Sequence, residues 1–499
     1  MAIECPSKLE HLWSVSETET ATPDLDRLFY PKNIAVVGAS PRGGGFMWGG
    51  NTFIEGALKE NFKGKIFPVH PKAENILGMK AYKSIREIPE EVDFVIFSVP
   101  HAVVLPIMKD CAAKGVKFVH LFTAGFSETG REENIEIEKE LVRLARESGI
   151  RVIGPNCMGI YCPEGGLAWT RDFPRTPGPV GFISQSGQLA GHFIEEGRDY
   201  GLRFSKVVSY GNASDLQCHD FLKYIAQDEK TKIIGLYIEG LKDGRSFFEA
   251  ARNITRVKPM VAWKGGLTEG GSRATQSHTA SLAGSPKIWQ ALCRQSGIIS
   301  VSSMEELITT LAALQRVPLP HGRNAAILGG AGGGSVTMTD AAEREGLSVP
   351  HLTEKTIRSL EEFVPLEGSS VKNPLDMMGA FFKSGQDSFL KTFTLLRDDP
   401  NIDALIFLQM VEMFVRRGAR LFLDGYMKQT LEGVKALEKP AFIVLGEGRG
   451  GSLEAEALRQ EMQARYNQAG FASFPSFPLA ARVMFSLFQY RTYLEAHGR

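Results

Sequence analysis

The 499-residue sequence has no net charge: 57 Lys and Arg offset 57 Asp and Glu. No long basic stretch runs along it. Nucleic acid and anionic membranes are therefore poor partners, and any anionic ligand must be held by local sites. Cysteine is scarce. The six, Cys5, Cys111, Cys157, Cys162, Cys218 and Cys293, form no CxxC pair and fit no zinc spacing, so no metal site is expected. Scattered free thiols suit a reducing cytoplasm. No apolar run approaches a membrane span, and the N-terminus MAIECPSKLEHLW lacks the apolar core of a secretion signal. A cytoplasmic protein with no membrane segment is expected.

What the chain has is apolar residues and glycine. Hydrophobic residues make up 43%, with 52 Gly and 25 Pro, enough for about three domains at roughly 150 residues each. Residues 1–23 are polar and predict a flexible N-terminal arm. From Leu25 the pattern is strand, glycine turn, helix, repeated. Ile34–Val37, Val92–Val99, Phe118–Phe122 and Val152–Ile153 are short apolar runs, with amphipathic stretches such as Asn134–Glu147 between them. Runs without polar alternation are strands buried on both faces. Their alternation with helices predicts an α/β fold with a parallel, doubly wound sheet. The first domain spans 24–160. A second, 175–315, follows the proline-rich link Pro174–Pro179, and a third, 320–485, follows Pro318–Gly322.

The second and third domains read as copies. Phe182-Ile183 leads into Ser184-Gln185-Ser186-Gly187, a helix, then Gly201-Leu202. Ile327-Leu328 leads into Gly329-Gly330-Ala331-Gly332, a helix, then Gly346-Leu347, at a constant offset of 145 residues. Lys258-Pro259 and Lys439-Pro440 each open an apolar strand that ends in glycine. Two related flavodoxin-like domains are the natural reading.

Five motifs carry candidate chemistry. VVGASPRGGG, 36–45, is a strand running into a glycine turn whose N–H groups can hold phosphate. The spacing is neither GxGxxG nor a Walker A loop. Lys72 follows the next strand where a dinucleotide fold prefers an acid, so a phosphate-bearing ribose, as in NADP or CoA, fits better. GPNCMG, 154–159, lies at the carboxyl edge of the first sheet, where Asn156 can donate and accept hydrogen bonds. No base near Cys157 is evident, so packing or lining of a ligand is favoured over a catalytic thiol. The turns at Ser186-Gly187 and at Gly332, Gly333, Gly334 and Ser335 open helices and form candidate anion sites; close helix packing is the competing explanation. His278 sits in GGLTEGGSRATQSHTASLAG, 265–284, read as a loop of small and hydroxyl residues with no counterpart in the third domain. Glu239 ends the apolar strand IIGLYIE and is placed to accept a hydrogen bond from the His278 ring. His101, His120 and His192 are read as structural.

Together these motifs resemble the NDP-forming (ADP-forming) acyl-CoA synthetase α subunits and, more distantly, the α subunit of succinyl-CoA synthetase. VVGAS, GPNC, SQSG, YGNASD, YIEG, SHTASLAG, GGAGGG and NPLD (373–376) carry the likeness from about residue 25 to 485. The resemblance implies a Rossmann-like CoA-binding domain followed by two succinyl-CoA-ligase domains. It makes His278 the phosphorylated histidine, Glu239 its orienting carboxylate, and the two glycine turns the phosphate-binding helix starts. It makes Gly38, Ser40, Arg42, Lys72, Pro100, Asn156 and Cys157 the CoA-site candidates. It further implies an acid–thiol ligase using CoA, a carboxylic acid and ATP/ADP with Mg, the nucleotide held by a separate ATP-grasp β subunit in an α2β2 assembly. A CoA-binding regulatory protein without turnover is the alternative; an NADP-dependent oxidoreductase leaves two domains unexplained. Ala280 departs from the family's usual glycine. Trp263 replaces a small residue and Tyr210 adds a second aromatic, pointing to an acyl group larger than acetate.

Overall fold

The structure, a computed structural model, describes residues 24–41, 49–279, 285–330, 332–365, 369–377, 388–416, 419–446 and 452–498, excluding the side chains of 276–279, 416 and 419. The expected arm at 1–23 and Arg42 lie outside these residues. A break near Leu307–Ile308 divides the chain into two compact bodies. Among the described residues no helix is long and apolar enough to cross a membrane.

The first sheet contains β1 (Asn33–Val37) and β2 (Lys65–Val69). After a small hairpin of β3 (Asn75–Ile76) and β4 (Met79–Lys80), it continues with β5 (Phe94–Phe97), β6 (Phe118–Leu121) and β7 (Arg151–Ile153). Its order is β2-β1-β5-β6-β7, parallel throughout. FVIF and FVHL are buried along their whole length, as strands covered by helices on both faces must be. The helix Glu132–Glu147 supplies Leu141 and Ala145 to this core. The order reverses between β1 and β5, so a ligand crevice is expected at their carboxyl ends.

GPNCMG is the crossover from this sheet to the next. It leads straight into β8 (Gly159–Tyr161), an antiparallel edge strand of the second sheet. The second domain therefore takes its first strand before the Pro174–Pro179 link; a three-residue strand is too short to show in an apolar pattern. β9 (Pro177–Ser184), β10 (Phe204–Ser209), β11 (Ile233–Ile238), β12 (Met260–Lys264) and β13 (Ile299–Val301) complete the order β13-β12-β11-β9-β10-β8. With β8 set aside, this is the flavodoxin-like arrangement, and its switch point lies between β9 and β11.

The third domain carries β14 (Ala325–Leu328), β15 (Ala404–Gln409), β16 (Ala441–Leu445) and β17 (Ser473–Phe474), parallel and in sequential order. Among the described residues the place of a second strand is taken by isolated parallel bridges, Asn324 to Ser348 and Leu328 to Leu375. Asn373 of the NPLD motif accepts from Ile327 N (2.9 Å) and donates to Ala325 O (2.8 Å), extending the hydrogen bonding of β14 by side chain.

The pairing registers bear out the duplication. Val180 pairs Ile233 as Ala325 pairs Ala404, and Ile234 pairs Met260 as Leu405 pairs Ala441. The two lysines of the Lys-Pro landmarks do the same work. Lys258 Nζ donates to Asp228 O (2.7 Å) and Ile225 O (3.4 Å); Lys439 Nζ donates to Asp399 O (2.6 Å) and Leu396 O (3.0 Å). Each ties off the C-terminal carbonyls of the helix that precedes the neighbouring strand, Cys218–Gln227 before β11 and Ser388–Asp398 before β15, where a cation is favoured.

Candidate active site

At the switch point of the second sheet, β9 runs into Gln185-Ser186-Gly187 and β11 into Glu239-Gly240. Ser186 caps the helix Gly187–Asp199: its Oγ accepts from Leu189 N (3.3 Å). Ser184 Oγ accepts from Ser186 N (3.2 Å) and donates to Ser186 O (2.7 Å), holding the turn from below. The amides of the first helical turn point out of the carboxyl edge, where the helix dipole favours an anion.

Glu239 is only 5% exposed. Tyr237 Oη donates to its Oε1 at 3.2 Å. Its peptide is held on both sides. Gln185 Oε1 accepts from Glu239 N (2.7 Å) and Gly240 N (2.9 Å), while Lys264 Nζ donates to Glu239 O (2.6 Å) and Gly265 O (2.5 Å). Burial pulls the Lys264 ammonium below the usual lysine range, with the nearby Glu239 acting against that shift. Burial, with Glu239 beside it, pushes the Tyr237 phenol up.

Gly265 and Gly266 lead from β12 into the helix Glu269–Thr279, which carries His278 in its last turn. The segment was expected to be a loop. Thr268 starts the helix by accepting from Gly271 N (3.1 Å), and Thr275 Oγ1 ties back to Gly271 O (2.9 Å). Gly270, Gly271, Ser272 and Thr279 are weak helix formers, which hid it. The His278 side chain lies outside the described residues. A Cβ on Gly265 would come 3.6 Å from Glu239 Cγ, so the root of the histidine segment abuts the carboxylate.

GPNCMG comes to the same place. A Cβ on Gly187 would lie 2.5 Å from Met158 Cγ, and Met158 N donates to Ser209 Oγ (3.1 Å). The YGNASD segment clasps the crossover: Asn212 N donates to Pro155 O (3.0 Å) and Ser214 N to Gly154 O (3.1 Å). Asn156 is half-buried with a left-handed backbone, φ 59°. Cys157 is buried, with its thiol pushed up by desolvation. His120 lies beneath it, Nε2 2.9 Å from Cys157 O, and burial lowers the ring to about 4, so it is neutral.

At the first sheet's switch point Gly38 has φ 96°, and a Cβ there would lie 2.0 Å from Ser98 O. Only glycine lets the β1 and β5 turns approach so closely. Ser40 N donates to Asn51 Oδ1 (2.7 Å), and Pro100 precedes the turn His101–Val103 at the same edge. Lys72 is exposed after β2, its N–H donating to His70 Nδ1 (3.2 Å).

In the third domain Gly329 and Gly330 serve packing, since Cβ atoms there would meet Leu408 O at 2.2 Å and Met338 Cε at 2.5 Å. Gly332, Gly333 and Gly334 have no such neighbours: nothing lies within 4 Å of an added Cβ. They open the helix Gly333–Arg344, with Ser335 in its first turn, and Gly330 and Gly334 line an open cleft of about 830 Å³. Of the two added aromatics, Tyr210 is buried against Phe221, and Trp263 packs edge-on to Tyr237 at 4.9 Å.

Comparison with known proteins decides the family. Residues 32–163 match the family model described as a CoA binding domain, and 177–314 match the succinyl-CoA ligase like flavodoxin domain. The α subunit of ADP-forming acetate–CoA ligase II of Pyrococcus furiosus is 43% identical over 410 residues, 82% of this chain and 87% of that one. The chain belongs to the ADP-forming acyl-CoA synthetases, as an α subunit. ADP-forming acetate–CoA ligase I of Archaeoglobus fulgidus is 39% identical over 77% of this chain, which covers 54% of that longer relative. The dinucleotide-forming acetyl-coenzyme A synthetase 1 of Ca. Korarchaeum cryptofilum, in complex with phosphate and ADP, has a TM-score of 0.80 at 32% identity over 95% of this chain and 99% of its own.

The second-domain edge brings together a capped helix start, the buried Glu239 carboxylate and the root of the segment that bears His278. Gln185, Lys264 and Tyr237 were missed in the sequence. The signal was the difference between the repeats, because register places Gly330, Leu445 and Leu408 at these positions. Among the described residues no cluster of three or more His, Cys, Asp or Glu is placed to hold a metal.

Proposed function

We propose that the chain interconverts acyl-CoA, phosphate and NDP with a carboxylic acid, CoA and NTP through acyl phosphate and a phosphohistidine at His278. A phosphate oxygen attacks the thioester carbonyl, the C–S bond breaks, and CoA leaves as a thiol. The imidazole then attacks phosphorus, and the carboxylate leaves. The phosphoryl group finally passes to NDP. Glu239 accepts the hydrogen bond that fixes the ring's tautomer, and the amides at Ser186-Gly187 neutralise the transferring group. The Gly332–Ser335 turn offers a second anion site of the same type. The observation that carries this reading is the clamped Glu239 at the switch point, next to both the capped helix start and the root of the His278 segment.

CoA is assigned to the first sheet's switch point, with Gly38 and Ser40 at the turn, Arg42 and Lys72 as phosphate partners, and Pro100 and Asn156 lining it. Cys157 contributes through its peptide, because its thiol is buried. The nucleotide, with its Mg, is assigned to an ATP-grasp β subunit in an α2β2 assembly. The α-subunit name of the Pyrococcus relative implies a partner, and the Archaeoglobus relative, of which this chain covers 54%, has further length for such a module. Buried Cys111, Cys157, Cys162, Cys218 and Cys293 suit a cytoplasmic setting.

With the partner subunit present, His278→Ala should abolish turnover and phosphate incorporation while retention on CoA-agarose survives. Normal turnover in that variant would end the proposal.

A further inference from the structure

The duplication supplies an internal control. Two copies of one scaffold share what the fold needs. Lys258 and Lys439 occupy the same register position and cap the same carbonyls, so that lysine serves the scaffold. A buried polar group present in one copy and replaced by an apolar or absent side chain in the other is not required by the scaffold.

Four neighbouring positions at the second domain's edge meet that condition together. Gln185 corresponds to Gly330 by the constant offset. Glu239 corresponds to Met410, Tyr237 to Leu408 and Lys264 to Leu445 by strand register. All four are at most 8% exposed in the second domain. Burying an amide, a carboxylate, a phenol and an ammonium side by side is costly unless each is hydrogen-bonded. The third domain shows the sheet closes without them. They occur in the copy that carries His278.

We infer that Gln185 and Lys264 are positioning residues for the Glu239 carboxylate. This rests on the reading of Glu239 as the partner of His278. Gln185 fixes the two N–H groups at Glu239 and Gly240; Lys264 fixes the two carbonyls at Glu239 and Gly265. The peptide that delivers the carboxylate is thereby locked from the β9 side and the β12 side. The Lys264 contact with Gly265 reaches the first residue of the segment leading to His278. One ammonium thus sets the spacing between carboxylate and histidine segment. Displacing either by about 1 Å is enough to lower a phosphoryl-transfer rate on the order of 10²-fold.

The test is a double-mutant cycle in the assembled enzyme. Gln185→Leu removes the acceptor at similar size, Gln185→Glu keeps it, and Lys264→Met removes the ammonium. Each is combined with Glu239→Ala. Expected are a kcat loss of roughly 30-fold or more for Gln185→Leu and Lys264→Met, with KM for CoA and phosphate within twofold. Gln185→Glu should recover most of the rate. On the Glu239→Ala background neither change should cost more than about threefold further, because both act through that carboxylate. Full losses that add on that background, or CoA KM rising in step with lost kcat, would overturn the inference as a merely structural role. Full activity of Glu239→Ala alone would sink the underlying reading, and this inference with it. If Gln185→Leu does not fold, Lys264→Met carries the same cycle.

Discussion

Replacing Gly187 by alanine tests the junction on which the site is built. The added Cβ would sit 2.5 Å from Met158 Cγ and 3.3 Å from both Met158 Cβ and N. Carbon atoms pack at about 3.5–4.0 Å, so the crossover and the helix start must separate by about 1 Å. Overpacking of this kind costs roughly 1–3 kcal/mol. The shift moves Met158 away from the amides of the candidate anion site, and a 1 Å error can cost on the order of 10²-fold in rate. Gly187→Ala should therefore lower the melting temperature by several degrees and kcat by at least tenfold. Trimming the obstacle should restore both, so Gly187→Ala with Met158→Ala should be closer to the parent than Gly187→Ala alone, a coupling read directly from the cycle. Calorimetry and steady-state turnover suffice. A single variant with parental melting and full turnover would refute the reasoning.

Glu60 gives a pH prediction. It is 7% exposed, both carboxylate oxygens lack a hydrogen-bond partner among the described residues, and burial raises it to about 7. Because the folded value lies above the unfolded one, its contribution is fully present below about pH 4.5 and is lost as pH rises through 7. The unfolding free energy of the parent relative to Glu60→Gln should fall by on the order of 1–3 kcal/mol between pH 4.5 and 8; a flat difference would contradict this. Gly38→Ala should weaken CoA binding at least about tenfold by titration calorimetry, since the backbone strain and the contact with Ser98 O together cost roughly 2–4 kcal/mol; unchanged affinity would remove CoA from that turn. Lys258→Met should lower stability by roughly 1–3 kcal/mol, and Lys439→Met somewhat less, by stranding helix-end carbonyls. Neither should alter phosphate incorporation, and a loss of incorporation without a change in melting would contradict their scaffold role.

Much of this was legible in the sequence. FVIF, FVHL and IIGLYI are apolar runs bounded by glycine or polar turns, and a strand buried on both faces leaves that trace. The repeat was legible too, because Lys258 and Lys439 perform the same task in both copies. The helix at Glu269–Thr279 was not, since its glycines, serine and threonines have little intrinsic preference for one. β8 was hidden by its three-residue length. The clamp on Glu239 was hidden for another reason: Gln185 follows β9 while Tyr237 and Lys264 lie in β11 and β12, and no spacing along the chain reports that they converge.

The most direct measurement follows the phosphate itself. The chain, assembled with the proposed ATP-grasp partner and given γ-labelled ATP and Mg, should acquire an acid-labile, alkali-stable phosphate recovered on the peptide containing residue 278. Acyl acid and CoA should then discharge it. Label on any other residue, or sustained turnover with no phosphoenzyme, would contradict the account.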